Sequence, residues 1–156
     1  MSGEITLRGY HDGDLNAMFR LDEACFEEPF RFTHAAMRRF AESRKARVVI
    51  AESNGELAGF AILHVEGRVG YVVTLDVAED FRRQGLALRL MQAMEQQAVE
   101  AGCAVVGLHV FMGNEGAIQF YERAGYKRGG EVSGFYGEGF NAWVYRKKLE
   151  TQNLKR

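Results

Sequence analysis

The positions of apolar residues along the chain follow two periods, one typical of strands and one typical of helices. Strand-like segments repeat apolar side chains at every second position, and helix-like segments repeat them every three to four positions. The strictest alternation runs from Val69 to Val77. The pattern predicts strands at residues 5–8, 48–51, 57–63, 69–77 and 103–111 with a closing hairpin within 126–149, and helices at about 12–26, 33–44, 84–101 and 114–125. The order β-α-α-β-β-β-α-β-α-β-β indicates a mixed α/β fold.

Short-range signals mark where several of these elements begin and end. Asn54-Gly55 between two β-rich runs predicts a tight antiparallel hairpin. Asp12 or Asp14 is suited to cap the first helix, whose pattern ends at Pro29. Thr33 is suited to cap the second helix. Because no repeat or linker interrupts the chain, residues 1–149 are expected to form one domain, followed by a polar tail at 150–156.

Composition narrows the class of protein. Apolar residues make up 47% and charged residues 26% of the chain, which is typical of a globular protein. The formal net charge of −1 provides no overall attraction for nucleic acid or for an anionic membrane, so neither is expected as a partner. Cys25 and Cys103 do not have metal-ligand spacing, and no metal is expected. Without an apolar leader or a spanning stretch, the expected location is cytoplasmic.

The segment Arg82-Arg83-Gln84-Gly85-Leu86-Ala87 lies between the alternating strand and the next predicted helix. It follows the pattern Arg/Gln-x-x-Gly-x-Gly/Ala. The main-chain N–H groups at a helix start have no partner within the helix, and the helix dipole adds positive potential there. Since Gly85 lacks a Cβ, an anion can approach the main chain, and the segment is a candidate pyrophosphate cradle. An imperfect helix start with solvated arginines is the alternative explanation.

A second motif strengthens the first interpretation. The segment Asn114–Tyr126 is similar to the Asn-x-x-Ala-x-x-x-Tyr-x-x-x-Gly-Phe motif of the GCN5-related N-acetyltransferases. Thr74–Met91 resembles the strand, loop and phosphate-binding helix of the same family, and Leu108-His109-Val110 resembles the strand between the two motifs. The three stretches occur in the family's order and spacing, and the likeness spans about residues 47–149.

The resemblance implies the fold and the acyl donor of that family. The fold would be a central, mostly antiparallel sheet with two splayed central strands, flanked by helices. Acetyl-CoA would be held between those strands, at about residues 69–77 and 104–111. The residues implied in coenzyme binding are Leu75, Asp76, Val77, Arg82, Arg83, Gln84, Gly85, Leu86, Ala87, Asn114, Ala117 and Tyr121.

Three residues are implied in catalysis. The Val77 N–H is the candidate to polarise the thioester carbonyl and stabilise the oxyanion. Tyr121 matches the tyrosine that protonates the departing thiolate; a phenol of pKa about 10 can donate to a thiolate whose conjugate acid has a pKa near 8.5. His109 stands where related N-terminal acetyltransferases carry Glu, and it is either a base acting through water or a structural residue. Asp76 and Glu138 are weaker candidates for the base.

Two segments on the acceptor side resemble the ribosomal-protein alanine N-acetyltransferase group within the family. They are Phe26–Phe30 and Phe135–Trp143, and in that group such segments flank the peptide groove. The resemblance implies direct transfer of an acetyl group, in a ternary complex, to a primary amine of a protein or peptide. A small-molecule amine (amino acid, polyamine or aminoglycoside) and an inactive coenzyme A-binding sensor are the alternatives. A monomer or homodimer is expected.

Overall fold

A computed structural model describes residues 3–150, a seven-stranded sheet with helices on both faces. The strands are β1 Thr6–Arg8, β2 Ala46–Ser53, β3 Glu56–Glu66, β4 Val69–Val77, β5 Val105–Phe111, β6 Lys127–Val132 and β7 Ala142–Lys148. The helices are α1 Leu15–Cys25, α2 His34–Glu42, α3 Leu86–Glu100 and α4 Glu115–Arg123. The predicted order of elements is confirmed. Of the predicted tail at 150–156, all but the first residue lies outside the described residues.

The structure shifts several predicted bounds by a few residues. A short 3-10 turn precedes α1, and Asp14 occupies the N-cap position of that helix as predicted, but its side chain makes no cap hydrogen bond there. Asp14 binds Arg8 instead, with 2.8 Å between Oδ1 and Nη2, because a guanidinium offers a carboxylate a charge-assisted hydrogen bond. Thr33 caps α2 as predicted. α3 begins at Leu86 rather than at Gln84, so the glycine of the phosphate-binding pattern is the residue that precedes the helix.

The strand order in the sheet is β1-β2-β3-β4-β5-β7-β6, and only β4 and β5 are parallel neighbours. The hairpin between β2 and β3 turns at Asn54-Gly55, whose φ angles of 53° and 77° are the positive values that a two-residue turn requires. β7 inserts between β5 and β6, so the closing hairpin covers the outer edge of β5. The predicted mixed α/β fold with a mostly antiparallel sheet is confirmed.

The two parallel strands separate after a short contact. β4 and β5 pair only where Val69–Tyr71 meets Val105–Gly107. Beyond that point β4 keeps its pairing with β3 as far as Val77, and β5 keeps its pairing with β7 as far as Phe111. A wedge-shaped gap therefore opens in the middle of the sheet, as predicted. It widens towards the carboxyl ends of β4 and β5, the side on which α3 and α4 begin.

The helices form one apolar layer on each face of the sheet. α3 and α4 cover one face, and the α3 side chains that were predicted to share a stripe are at most 1% exposed: Leu86, Leu90, Met94 and Ala98. α1 and α2 cover the other face, where Met18 and Met37 pack against Ile50, Phe60 and Ile62. Burying one such large apolar side chain contributes about 1.5–3 kcal/mol to stability. The packed side chains therefore fix the helix starts against the strand ends. Within residues 3–150, no helix is both long and apolar enough to cross a membrane.

Candidate active site

The predicted phosphate cradle is a turn with two left-handed residues. Arg83 has φ 64° and Gly85 has φ 79°, and a Cβ built on Gly85 meets no protein atom within 4 Å. The glycine therefore meets a conformational need and leaves the space before α3 open to a ligand. Arg82 does not extend freely into solvent, since its Nε donates to the Val77 carbonyl at 3.0 Å. A cavity of about 350 Å³ is lined by Glu79, Arg82 and Arg83.

The main chain of β4 offers hydrogen-bonding groups to the gap. In an antiparallel pair, only alternate residue pairs exchange hydrogen bonds. The Ala78 N–H donates to the Ala58 carbonyl at 2.8 Å, so the next pair, Val77 with Gly59, is not hydrogen-bonded across to β3. The N–H and C=O of Val77, and those of Leu75 two residues earlier, point towards β5. The structure thus turns the two predicted main-chain contacts into the gap. The Val77 carbonyl already accepts from Arg82 Nε, so the Val77 N–H and the main-chain groups of Leu75 are the ones that an extended ligand can pair with.

α4 carries the remaining predicted coenzyme residues. Asn114 caps the helix, its Oδ1 accepting from the Ala117 N–H at 3.1 Å. Ala117 and Tyr121 lie one turn apart and share the face that packs against the α3 side of the core. Burial, with Tyr136, Asp76 and Tyr71 nearby, raises the pKa of Tyr121 well above its usual range. Tyr121 is therefore a neutral phenol, and burial makes it a weaker acid than an exposed tyrosine.

A hydrogen-bonded pair stands at the base of the gap, where β4 and β5 diverge. The hydroxyl of Tyr71 lies 2.9 Å from Nδ1 of His109. Parallel pairing sets Tyr71 opposite Gly107, and residues two apart in a strand share a face, so the two rings meet. Burial raises the pKa of Tyr71 to about 12 and lowers the pKa of His109. His109 is therefore a neutral imidazole at neutral pH, able to accept a proton.

Tyr71 is not among the site residues that the sequence predicts. The alternation of apolar and polar residues in β4 identifies it only as part of a strand. The signal that could have found it is the parallel register of β4 and β5, which no local motif specifies. His109 is further fixed by a stack on Phe135, with 3.9 Å between ring centroids and 9° between planes. The Tyr136 hydroxyl donates to the main-chain carbonyl of His109 at 3.2 Å.

Aromatic side chains from three elements form one surface next to this pair. We call it the aromatic wall, and it consists of Phe30, Phe111, Phe135, Tyr136 and Phe140. Ring centroids of Phe30 lie 4.9–5.7 Å from those of three other members. Phe135 is 42% and Phe140 37% exposed, so the wall faces solvent on one side. Both segments predicted to flank an acceptor groove, the one after α1 and the one between β6 and β7, contribute to it.

Three other predicted residues have side chains outside the gap. Asp76 is 1% exposed, its carboxyl group contacts Asp22 of α1 and its main chain pairs with Phe60 of β3, so neither its side chain nor its main-chain polar groups face the gap. The side chain of Leu86 is buried in the core. Glu138 is exposed in the loop between β6 and β7. Across the described part of the chain, no group of three His, Cys, Asp or Glu side chains is arranged to hold a metal ion.

The site combines a parallel strand pair that separates, a helix start preceded by glycine, and a neutral tyrosine on α4. Together these features define a coenzyme A-dependent acyltransferase. The chain belongs to the acetyltransferase (GNAT) family, whose model matches residues 15–126. It is accordingly an acetyl-CoA-dependent N-acetyltransferase. The resemblance inferred from the two sequence motifs is confirmed.

Solved structures of similar fold include acetyltransferases with different acceptors. The ribosomal-protein-S18-alanine N-acetyltransferase from Escherichia coli has a TM-score of 0.84 at 21% identity, covering 94% of this chain and 95% of that chain. NAA60 of Arabidopsis thaliana, solved in complex with acetyl-CoA, has a TM-score of 0.82 at 22% identity, covering 94% and 99%. Nourseothricin acetyltransferase has a TM-score of 0.78 at 22% identity, with the same coverage. These similarities support the fold and leave the acceptor open.

Proposed function

We propose that this enzyme acetylates the amino terminus of a protein or peptide whose first side chains are apolar. The observation that carries the proposal is the aromatic wall beside the Tyr71–His109 pair. A polyamine or aminoglycoside carries several positive charges, and a site that recognises such a ligand needs carboxylates to pair with them. The wall presents aromatic rings, and its exposed side suits an apolar chain end; the carboxylates of the same two segments, Glu27, Glu28 and Glu138, are exposed to solvent.

Each predicted catalytic residue has a distinct part in this proposal. The Val77 N–H, which points into the gap, would stabilise the charge that develops on the thioester oxygen. Neutral His109, oriented by Tyr71, would accept the proton of the attacking amine, directly or through a water molecule. Tyr121 would give its proton to the departing thiolate. The groups that accept and donate protons belong to different elements, β5 and α4, on the two sides of the gap.

Coenzyme binding would use the turn before α3 and the edge of β4. The open space at Gly85 and the free main-chain N–H groups at the start of α3 fit a pyrophosphate. The main-chain groups of Leu75 and Val77 fit an amide-bearing chain that pairs as an added strand would. Bound there, the coenzyme would supply the activated acetyl group. The Val77 N–H, His109 and Tyr121 would then stabilise the oxyanion and transfer the protons, as described above.

The proposal is tested by measuring thiol release from acetyl-CoA across a panel of amines. The panel contains oligopeptides of equal length with an apolar or an acidic first residue, together with spermidine, an aminoglycoside and free amino acids. We expect the highest kcat/KM with the apolar peptides. Release with the small amines alone would contradict the peptide proposal and would favour a small-molecule acceptor.

A matched pair of variants tests the wall itself. Phe30→Ala should raise the peptide KM by about 10- to 150-fold, because roughly 1.5–3 kcal/mol of apolar contact is removed. Phe19→Ala is the control, since Phe19 is also partly buried but packs on His34, outside the wall. An equal rise in KM for both variants would show that the effect comes from general loosening of the fold.

A further inference from the structure

Two carboxyl groups lie together in the interior, between α1 and β4. Asp22 and Asp76 are each 1% exposed, and their carboxyl groups are within hydrogen-bond reach of one another. Asp22 Oδ2 accepts from the Phe32 N–H at 2.7 Å, and Asp76 Oδ1 accepts from the Thr74 hydroxyl. The two remaining oxygens, Asp22 Oδ1 and Asp76 Oδ2, are buried and find no hydrogen-bond donor in residues 3–150.

Two buried carboxylates in contact cannot both remain ionised, because each loses its hydration and repels the other. A single shared proton resolves both problems, since it removes one charge and supplies the missing donor. Burial, reinforced by the neighbouring Asp22, raises the pKa of Asp76, and burial also raises the pKa of Asp22. The pair therefore holds one proton between its two carboxyl groups.

The other ionisable groups around the pair do not replace that proton. Arg31 and Glu23 act on Asp22 with opposite signs, Arg31 lowering and Glu23 raising its pKa. The Arg31 side chain is itself committed to main-chain carbonyls, with 2.9 Å from Nε to the Phe26 oxygen. On the Asp76 side, Cys25 and Tyr121 are close enough for Asp76 to raise the pKa of each. Both are neutral at neutral pH, so neither adds a positive charge.

The pair connects the two halves of the active site. Asp76 immediately precedes Val77, whose N–H points into the gap. Asp22 holds the Phe32 N–H, and Phe32 follows the loop that contributes Phe30 to the aromatic wall.

We propose that Asp22 and Asp76 form a positioning pair, in which one shared proton fixes the distance between the aromatic wall and the Val77 N–H. The pair does not touch the reacting atoms. It keeps the acceptor amine in line with the thioester by holding α1 and its following loop against β4. The inference rests on the proposed function in one respect, that the acceptor lies against the aromatic wall.

Asparagine variants separate this proposal from a general packing role. In Asp22→Asn, the amide oxygen still accepts from Phe32 and the amide N–H replaces the shared proton. In Asp76→Asn, the amide oxygen still accepts from Thr74 and the N–H faces the Asp22 carboxylate. The double variant turns two NH2 groups towards each other and provides no acceptor for either, so buried donors are left unsatisfied.

We expect each single variant to keep the acceptor KM within about threefold of wild type, and the double variant to raise it by about tenfold or more. The KM for acetyl-CoA should stay within about twofold in all three, since the proposed coenzyme contacts are main-chain groups of Leu75 and Val77, which these side-chain substitutions leave in place. The acceptor is whichever amine the panel identifies. A double variant no worse than the singles, or singles as poor as the double, would overturn the proposal.

A second measurement needs neither an acceptor nor a folded double variant. The infrared spectrum of the wild-type protein at neutral pH should contain the carbonyl band of a protonated carboxyl group. The band should be lost in Asp76→Asn and kept in Asp12→Asn, a control at an exposed aspartate. Absence of the band from wild type would refute the shared proton even if peptides prove to be the acceptors. Its presence would support the pair even if the peptide proposal failed.

Discussion

The hydrogen bond between Tyr71 and His109 gives the sharpest prediction about catalysis. Tyr71→Phe removes one oxygen and leaves the ring in β4. His109 then keeps its stack on Phe135 but loses the partner that lies 2.9 Å from Nδ1. His109→Gln removes the imidazole and retains a polar side chain of similar length. If the two residues act as one unit, Tyr71 contributes only through His109, and the effects of the two changes will not multiply.

The expected magnitudes follow from this geometry. A hydrogen bond between neutral groups contributes about 0.5–1.5 kcal/mol, so Tyr71→Phe should lower kcat roughly two- to twelvefold. A positioned general base contributes about 10²–10⁴-fold, so His109→Gln should cost at least about 10²-fold. The double variant should match His109→Gln within about twofold. The assay is steady-state thiol release at saturating acetyl-CoA, with stability checked by urea unfolding.

The pH profile supplies an independent measurement on the same variants. Burial lowers the pKa of His109, so the imidazole is the neutral, active form above a pKa that lies below the ordinary value of about 6.5. The wild-type profile should therefore contain an acidic limb from His109, below the limb that the acceptor amine itself produces. The His109 limb should disappear in His109→Gln when both enzymes are measured with one acceptor. Effects of Tyr71→Phe and His109→Gln that multiply in the double variant would refute the paired role.

Three further changes test the rest of the site and the fold. Tyr121→Phe should lower kcat about 10²-fold, because the proton donor is lost, and leave the acetyl-CoA KM within about twofold; steady-state kinetics measure both. Gly85→Ala should weaken acetyl-CoA binding about tenfold in calorimetry, since the left-handed conformation costs ~1–2 kcal/mol for a residue with a Cβ. Arg8 holds the pKa of Asp14 below its usual range. The stability this gives is lost as pH falls through the folded-state pKa, and Arg8→Gln should flatten that loss in urea midpoints.

The controls for these changes use matched positions. Gly55→Ala introduces a Cβ at a similar φ of 77° in the β2–β3 hairpin, where the Cβ also meets no protein atom within 4 Å. It should reduce stability without changing acetyl-CoA binding. A loss of coenzyme affinity in Tyr121→Phe as large as its loss of kcat would argue against the acid role. An acid limb as steep in Arg8→Gln as in wild type would assign that limb to another group.

The features that the sequence predicts correctly depend on short stretches of chain. Asn54-Gly55 specifies its turn through two backbone conformations, and the α3 stripe depends on a helical repeat within 15 residues. The Tyr71–His109 and Asp22–Asp76 contacts depend on how distant elements pair, and no local period encodes that. Asp14 takes the predicted N-cap position of α1, but its side chain makes no cap hydrogen bond for a related reason, since Arg8 of β1 competes for the carboxylate.

The narrow junction between β4 and β5 has a consequence for folding and aggregation. Three residue pairs join two half-sheets, and along the gap each half-sheet presents an edge of the kind that other chains can pair with. A ligand that lies along Leu75 and Val77 covers one of these edges. Because a ligand that binds only the folded state stabilises it by about 2.7 kcal/mol at a hundred times its Kd, cellular acetyl-CoA would protect this protein against self-association as well as serve its reaction.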